Sequence, residues 1–275
     1  MIVLVTGTST GFGLLMAKRF LAAGDTVVAT MRDPSRAHAD LDGADVVALD
    51  VVSDDSVEAA IKQVLDTHGR VDVLVNNAGM GMHGAIEDTS DAQAKDLFET
   101  NFFGTLRVTR AVLPAMRARG SGVIVNISSL AAVITPPFEG MYSATKCALE
   151  AVSQAMHFEL APFGVRVHLI EPGGFDTSFG ANRRDAIGTA YSDLMARWEV
   201  AYTRVPGRDA GPADPGKVAD AVYDLVNDPS APLRLLVGDD AELLGALRKQ
   251  LDDTELERTM RSQLEFWDGA RSPVV

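Results

Sequence analysis

Short β-branched runs alternate along this chain with longer segments of helical period, and few folds accommodate that alternation. The runs are Ile2–Thr6, Thr26–Thr30, Val46–Ala48, Val73–Asn76, Val123–Ile127, Val165–Ile170 and Leu233–Val237. They read as strands buried on both faces, as in a parallel sheet covered by helices. Helices are expected at Phe12–Ala23, closed by Gly24, and at Asp54–Thr67, ahead of Gly69. Two longer ones are expected at Ala92–Arg119, kinked at Pro114, and at Met141–Phe158. Strand and helix in turn imply βαβ units. The fold class is therefore α/β, a doubly wound parallel sheet of about seven strands flanked by helices.

A length of 275 residues fits one such domain. The pattern lapses between Phe175 and Pro215, where no strand is expected. Phe175, Phe179, Tyr191, Trp198 and Tyr202 lie there among charged residues, which reads as a helical lid at about residues 175–215. Extra packing helices are the plainer alternative. Residues 1–240 form the main unit, and residues 241–275 are expected to add a polar helix and an irregular tail.

A net charge of −13 leaves no phosphate-neutralising surface, so nucleic acid is not an expected partner. One cysteine, Cys147, excludes an internal disulfide. No apolar run reaches the length of a membrane span, and the N-terminal run is too short for a signal peptide. The expected setting is cytoplasmic, without a membrane partner.

Thr6-Gly7-Thr8-Ser9-Thr10-Gly11-Phe12-Gly13 joins the first strand to the first helix. Glycines there permit a tight turn and close backbone approach, while the helix start offers N–H groups and a positive dipole end to a pyrophosphate. The second strand ends in Met31-Arg32-Asp33. An acid at its end would favour NAD, whereas Arg32, helped by Ser9, suits the 2′-phosphate of NADP. Asp33 is placed to cap the following turn. NADP is expected, with NAD open and Arg32 as a solvated loop residue the alternative.

Tyr142 and Lys146 stand at i and i+4, one turn apart on one helix face. A lysine charge beside a phenol is expected to lower its pKa and make it a usable proton carrier. Ser129 ends the fifth strand thirteen residues before Tyr142, and Asn76–Gly79 ends the fourth, both at the edge where doubly wound folds bind ligands. Asn101 lies in the helix that follows the fourth strand.

Taken in order, these motifs resemble the short-chain dehydrogenase/reductase family in its shorter, single-domain branch, over about residues 1–240. Gly7 and Gly11, spaced by three residues, Asn76–Gly79, Asn101, Ser129, Tyr142 and Lys146 all fit. Phe12 departs from the smaller aliphatic residue usual there. The resemblance implies a Rossmann-type sheet. It implies that Tyr142 carries the proton, Lys146 lowers its pKa and holds the nicotinamide ribose, and Ser129 holds the substrate oxygen. Asn101 would support a water between Lys146 and a proton relay. It further implies cofactor contacts at Gly7, Ser9, Thr10, Gly11, Phe12, Gly13, Arg32, Asp50, Val51, Asn77, Ala78, Gly79, Pro172, Gly173 and Thr177. A homodimer or homotetramer built on the two long helices is the expected assembly.

His38, His68, His83, His157 and His168 show no metal-ligand spacing, so no metal is expected and they read as surface or packing residues. Cys147 reads as a buried structural thiol. A sugar-nucleotide epimerase would need a different glycine turn, and an enoyl reductase a wider tyrosine–lysine spacing. A non-catalytic, NADP-sensing regulator is the rival of another class, although it would have no need of Asn101, Ser129, Tyr142 and Lys146. The expected substrate is a hydrophobic ketone or aldehyde, or the corresponding alcohol, beside Met80, Met82, Val133, Phe138 and Met141.

Overall fold

The structure is a computed structural model and describes residues 1–180, 183–186, 188, 190–208 and 213–266. Parts of the expected lid and the end of the tail, residues 267–275, lie outside them. Seven parallel strands form one sheet: β1 (Ile2–Thr6), β2 (Thr26–Met31), β3 (Asp45–Ala48), β4 (Val73–Asn76), β6 (Gly122–Ile127), β7 (Val165–Pro172) and β9 (Arg234–Val237). Their order is β3-β2-β1-β4-β6-β7-β9, so the winding reverses between β1 and β4. A crevice opens at such a reversal, above the carboxyl ends of the strands.

Helices cover both faces. On one side α1 (Gly11–Ala22) and α7 (Gly216–Asn227) bury Met16, Phe20, Val222 and Leu225 against Val3, Val5 and Val75. On the other, α2 (Asp54–His68) and α4 (Thr105–Arg119) bury Ile61, Val64, Val112 and Met116 against Leu4, Leu74 and Ile124. Residues of alternate parity along each strand thus enter opposite cores, which is why the runs read as apolar throughout. Ser53 starts α2 by accepting from the Ser56 N–H, and Gly69, at φ +71°, stops it.

Four expectations need correcting. The long helix over 92–119 is two helices, α3 (Asp91–Phe98) and α4, separated by a π-turn at Glu99–Gly104. Pro114 lies inside α4, and the interruption comes earlier because the turn winds in an extra residue around Asn101. The segment 175–215 does contain a strand, β8 (Arg184–Ala186), paired in parallel with β5 (Met82–Gly84). Only three residues long and two of them charged, β8 has no alternation to read. Its approach depends on Gly84, where a Cβ would stand 2.1 Å from the Ala186 carbonyl oxygen.

The C-terminal segment is more ordered than an irregular tail. After α8 (Asp239–Gln250) comes α9 (Asp253–Leu264), opened by a reciprocal cap between Asp252 and Glu255. With α6 (Ser192–Tyr202) they enclose a cluster of Trp198, Val205, Leu244, Leu264 and Phe266. Finally, Cys147 is exposed. On α5 (Gly140–Leu160) the buried face carries Tyr142, Ser143, Lys146, Leu149 and Ser153, and Cys147 is rotated off it. Among the described residues, no helix is long and apolar enough to cross a membrane.

Candidate active site

The end of β1 and the end of β4 are joined by side chains before any ligand is considered. Thr6 Oγ1 accepts from the Asn77 and Ala78 N–H groups at 2.9 and 3.0 Å. Asn77 Nδ2 donates to the Thr6 and Gly7 carbonyls at 2.9 and 3.0 Å. Gly7 has φ +71° and Gly11 φ +60°, so the turn needs glycine at both. At Gly13 the reason is space, since a Cβ would meet the Gly7 oxygen at 2.2 Å. Thr10, the N-cap of α1, makes no side-chain capping bond, which leaves the first-turn N–H groups to an outside acceptor. This cradle fits a cofactor pyrophosphate.

The adenine side is built from β2 and β3. Leu49 N–H donates to Met31 O at 2.9 Å, which brings Asp50 and Val51 beside the end of β2. Asp50 accepts from the Val52 N–H, and Arg107 Nη1 donates to Val51 O at 2.6 Å. Arg32 is exposed at this edge and, among the described residues, has no hydrogen bond or ion pair. Asp33 accepts from the N–H and hydroxyl of Ser35, so it caps the next turn as expected.

A ladder of buried amides holds β4 and β6 to the helices behind them. Asn76 Nδ2 donates to Thr109 Oγ1 and Asn126 Oδ1, and Asn126 Nδ2 donates to Ser153 Oγ on α5. Asn101 clamps the loop after β4: its Oδ1 accepts from Met80 N–H, and its Nδ2 donates to Met80 O and Thr145 Oγ1, all within 3.1 Å. Its amide is therefore engaged with Met80 and Thr145 and not with the Lys146 side of the site.

Tyr142 and Lys146 project from α5 beneath Ser129, which follows β6. Tyr142 is hydrogen-bonded to Ser129, and the Phe179 ring packs 5.8 Å from its own. Lys146 Nζ donates to Ile127 O at 2.8 Å and stands 5.7 Å from the tyrosine ring centroid. Burial comes first in setting both pKa values. It pushes the Tyr142 phenol well above its ordinary value, against the Ser129 hydrogen bond, and it pulls the Lys146 ammonium down to about 8. The direction is opposite to the lowering expected beside Lys146, and desolvation is its largest cause. At neutral pH this tyrosine is a protonated donor.

One cavity of about 620 Å³ gathers Phe12, Asn77, Gly79, Ser129, Tyr142, Lys146, Pro172, Gly173 and Thr177. Gly7, Ser9, Thr10, Gly11 and Gly13 form the turn beside it, with Ala78 after β4 packed against Gly7; Arg32, Asp50 and Val51 lie at the edge expected to hold adenine, and Asn101 lies behind the wall. A second cavity of about 570 Å³ shares Ser129, Pro172 and Gly173 and runs between Leu130–Gly140 and helices α6 and α9. Its size suits a small organic molecule.

The model for the short chain dehydrogenase family matches residues 1–188. The chain belongs to the short-chain dehydrogenase family. It is 35% identical over 265 residues to a 3-ketodihydrosphingosine reductase of Bacteroides thetaiotaomicron, covering 94% of this chain and 96% of that protein. A short-chain dehydrogenase structure from Streptomyces avermitilis superposes with a TM-score of 0.79 at 39% identity, covering 95% of this chain and 98% of that one. The actinorhodin polyketide ketoreductase with NADPH superposes with a TM-score of 0.75 at 32% identity, covering 87% and 96% of the two chains.

Sequence reasoning missed several residues of this short-chain dehydrogenase site. His83, read as a surface or packing residue that could also touch substrate from its place close after Asn76–Gly79, is buried in the cavity wall, its pKa lowered by burial and by Arg183. Glu139 and Arg208 line both cavities. Arg208 Nε pairs with buried Asp240 at 3.0 Å, and Asp240 also accepts from the Gly174 N–H at 2.8 Å. Glu139, three residues before Tyr142, was within reach of a helix-face argument; Asp240, about a hundred residues from α5 in the chain, was not.

Proposed function

We propose that this protein interconverts a hydrophobic ketone or aldehyde with the corresponding alcohol, using NADP in preference to NAD. The observation that carries the reading is the single cavity uniting Ser129, Tyr142 and Lys146 with Asn77, Gly79 and the Pro172–Thr177 segment. Binding of NADPH by the related polyketide ketoreductase supports the cofactor assignment. The Gly7–Gly13 turn would hold the pyrophosphate, and Arg32 would meet the 2′-phosphate. When bound, the nicotinamide supplies or accepts the hydride. In reduction, Ser129 holds the carbonyl oxygen and Tyr142, a neutral phenol, gives it the proton. Lys146 would hold the ribose hydroxyls, and its ammonium stabilises the phenolate left when the Tyr142 proton leaves. Asn101 positions α5 through Thr145 and fixes the loop carrying Met80.

The apolar second cavity and the name of the Bacteroides relative, 3-ketodihydrosphingosine reductase, both favour a hydrophobic substrate. Exposed Phe103 and Phe158, beside α4 and on α5, support self-association through these helices, and light scattering showing a stable monomer at micromolar concentration would overturn that part. Catalysis is tested by assaying ketones and alcohols with both cofactors, following nicotinamide absorbance. Tyr142→Phe is expected to retain cofactor affinity and lose about a hundredfold or more in kcat. Near-normal turnover in that variant refutes the mechanism.

A further inference from the structure

The two cavities meet at a polar junction whose charges do not balance. Its floor is formed by Ser129, Glu139, Tyr202 and Arg208, all of which line both cavities. The Arg208 guanidinium lies 3.8 Å over the Tyr202 ring and is paired with the Asp240 carboxylate. Arg183, at the rim, is neutralised by Asp185 at 3.1 Å and Glu199 at 4.0 Å. Lys146 points its ammonium at Ile127 O, and burial keeps His83 neutral. At the junction Glu139 is left over; Asp176, also without a hydrogen bond or ion pair among the described residues, lines the first cavity only. Among the described residues the Glu139 carboxylate has no hydrogen bond or ion pair, and its desolvation is only partly offset by Arg208 and Arg183. The outer end of the second cavity adds Asp253 and Glu257 and no further cation.

A half-buried carboxylate facing a cavity without a partner carries a desolvation cost that a cationic ligand would relieve. Glu139 is the N-cap of α5, three positions before Tyr142, and close enough that its charge acts on the Tyr142 phenol. A group held by Glu139 therefore lies in the same cavity as a carbonyl held by Tyr142 and Ser129. Beyond Glu139 the second cavity is walled by Leu130, Ile134, Trp198, Leu256 and Met260, with room for an alkyl chain or a flat apolar body.

We propose that the substrate is an amphiphilic amine, with Glu139 binding an ammonium close to the reacting carbon and the second cavity binding its apolar remainder. This rests on the placement of the carbonyl at Tyr142 and Ser129. Arg208 does not recruit an anion here, because Asp240 already holds its charge. Glu139 is a specificity-determining residue and takes no proton in the reaction.

The test is a calorimetric titration of n-octylamine, 1-octanol and octanoate, each below its aggregation limit, into the wild type, Glu139→Gln and Glu139→Asp at pH 7. No turnover is measured, so failure of the oxidoreductase reading and failure of this one are separately visible. The wild type is expected to bind octylamine about ten- to a hundredfold more tightly than octanol, the range of a charge-assisted hydrogen bond. Glu139→Gln should lose that preference, and Glu139→Asp, which keeps the charge, should retain part of it and so control for folding. Equal affinity for octylamine and octanol, tighter binding of octanoate, or a preference that survives in Glu139→Gln overturns the proposal.

Discussion

Lys146→Met separates what this lysine does for the reaction from what it costs the fold. The side chain is buried, and its ammonium is pulled from 10.5 to about 8, chiefly by desolvation. An unfolded chain keeps that proton until about pH 10.5, whereas the folded protein releases it near 8. Between those values the unfolded state binds more protons, so stability rises with pH. At about 1.36 kcal/mol per unit the whole effect is on the order of 3 kcal/mol, most of it between pH 7 and 10. Methionine keeps an unbranched stem of similar length and removes the charge. The variant should be inactive and, at pH 7, more stable than the wild type. The gain is less than the full effect because the Ile127 carbonyl loses a donor worth about 1 kcal/mol or more. Urea unfolding of both proteins at fixed protomer concentration, at half-unit steps from pH 7 to 10, reads the difference directly. Groups that titrate in both proteins cancel in the subtraction. A wild-type-minus-variant difference that stays level across that range would show that Lys146 is not a penalised buried charge.

Gly13→Ala should be destabilising by about 1–3 kcal/mol and weaken cofactor binding, since the new Cβ meets the Gly7 oxygen at 2.2 Å and Asn77 Nδ2 at 2.5 Å. Thermal unfolding and cofactor titration check both, and a neutral result on either would mean the turn has slack that the structure does not show. Arg32→Ala should weaken NADP by about 1.5–3 kcal/mol and leave NAD nearly unchanged, as measured by calorimetry. Equal losses would make Arg32 a bystander. Glu171 is buried against Glu150, and burial with that neighbour pushes its pKa up to about 7. A raised carboxyl holds its proton in the folded state between about pH 4.5 and 7, so its contribution to stability declines as pH rises through that window. Glu171→Gln should therefore gain stability relative to wild type from pH 5 to 8. A constant offset over that range would contradict the raised value.

The sheet and the catalytic face of α5 were legible because their signals are local. A parallel strand covered on both sides is apolar at every position, and the run Val123–Ile127 announces itself without reference to any other part of the chain. A helix face is periodic, so Tyr142 and Lys146 could be placed together from their spacing alone. The glycine turn is read the same way, from backbone freedom at Gly7 and Gly11 and from a strand before and a helix after. Local signals also account for the failures. The π-turn at Glu99–Gly104 is marked only by Gly104 at its far end, a weak signal, while Pro114, which looks like a breaker, sits within α4. Three-residue β8 exists because Gly84 lets Ala186 approach, an interaction across a hundred residues.

What the sequence by itself determined, then, is the order of elements and the chemistry offered at the carboxyl ends of the strands, because both follow from the backbone period and side-chain type at each position. The electrostatics of the site were decided only by tertiary structure. Spacing brings Lys146 beside Tyr142, but it carries no measure of burial, and desolvation reversed the expected direction of the tyrosine's shift. The lysine and its charge are in the sequence; its hydrogen bond to Ile127 O is made only when α5 packs on β6. The second cavity belongs to the same class. Its walls come from the loop after β6, from α6 and from α9, and its unbalanced Glu139 is defined by the pairing of Arg208 with Asp240. Charge can be counted along a chain, but whether a given charge is neutralised depends on distances that only the packed molecule sets.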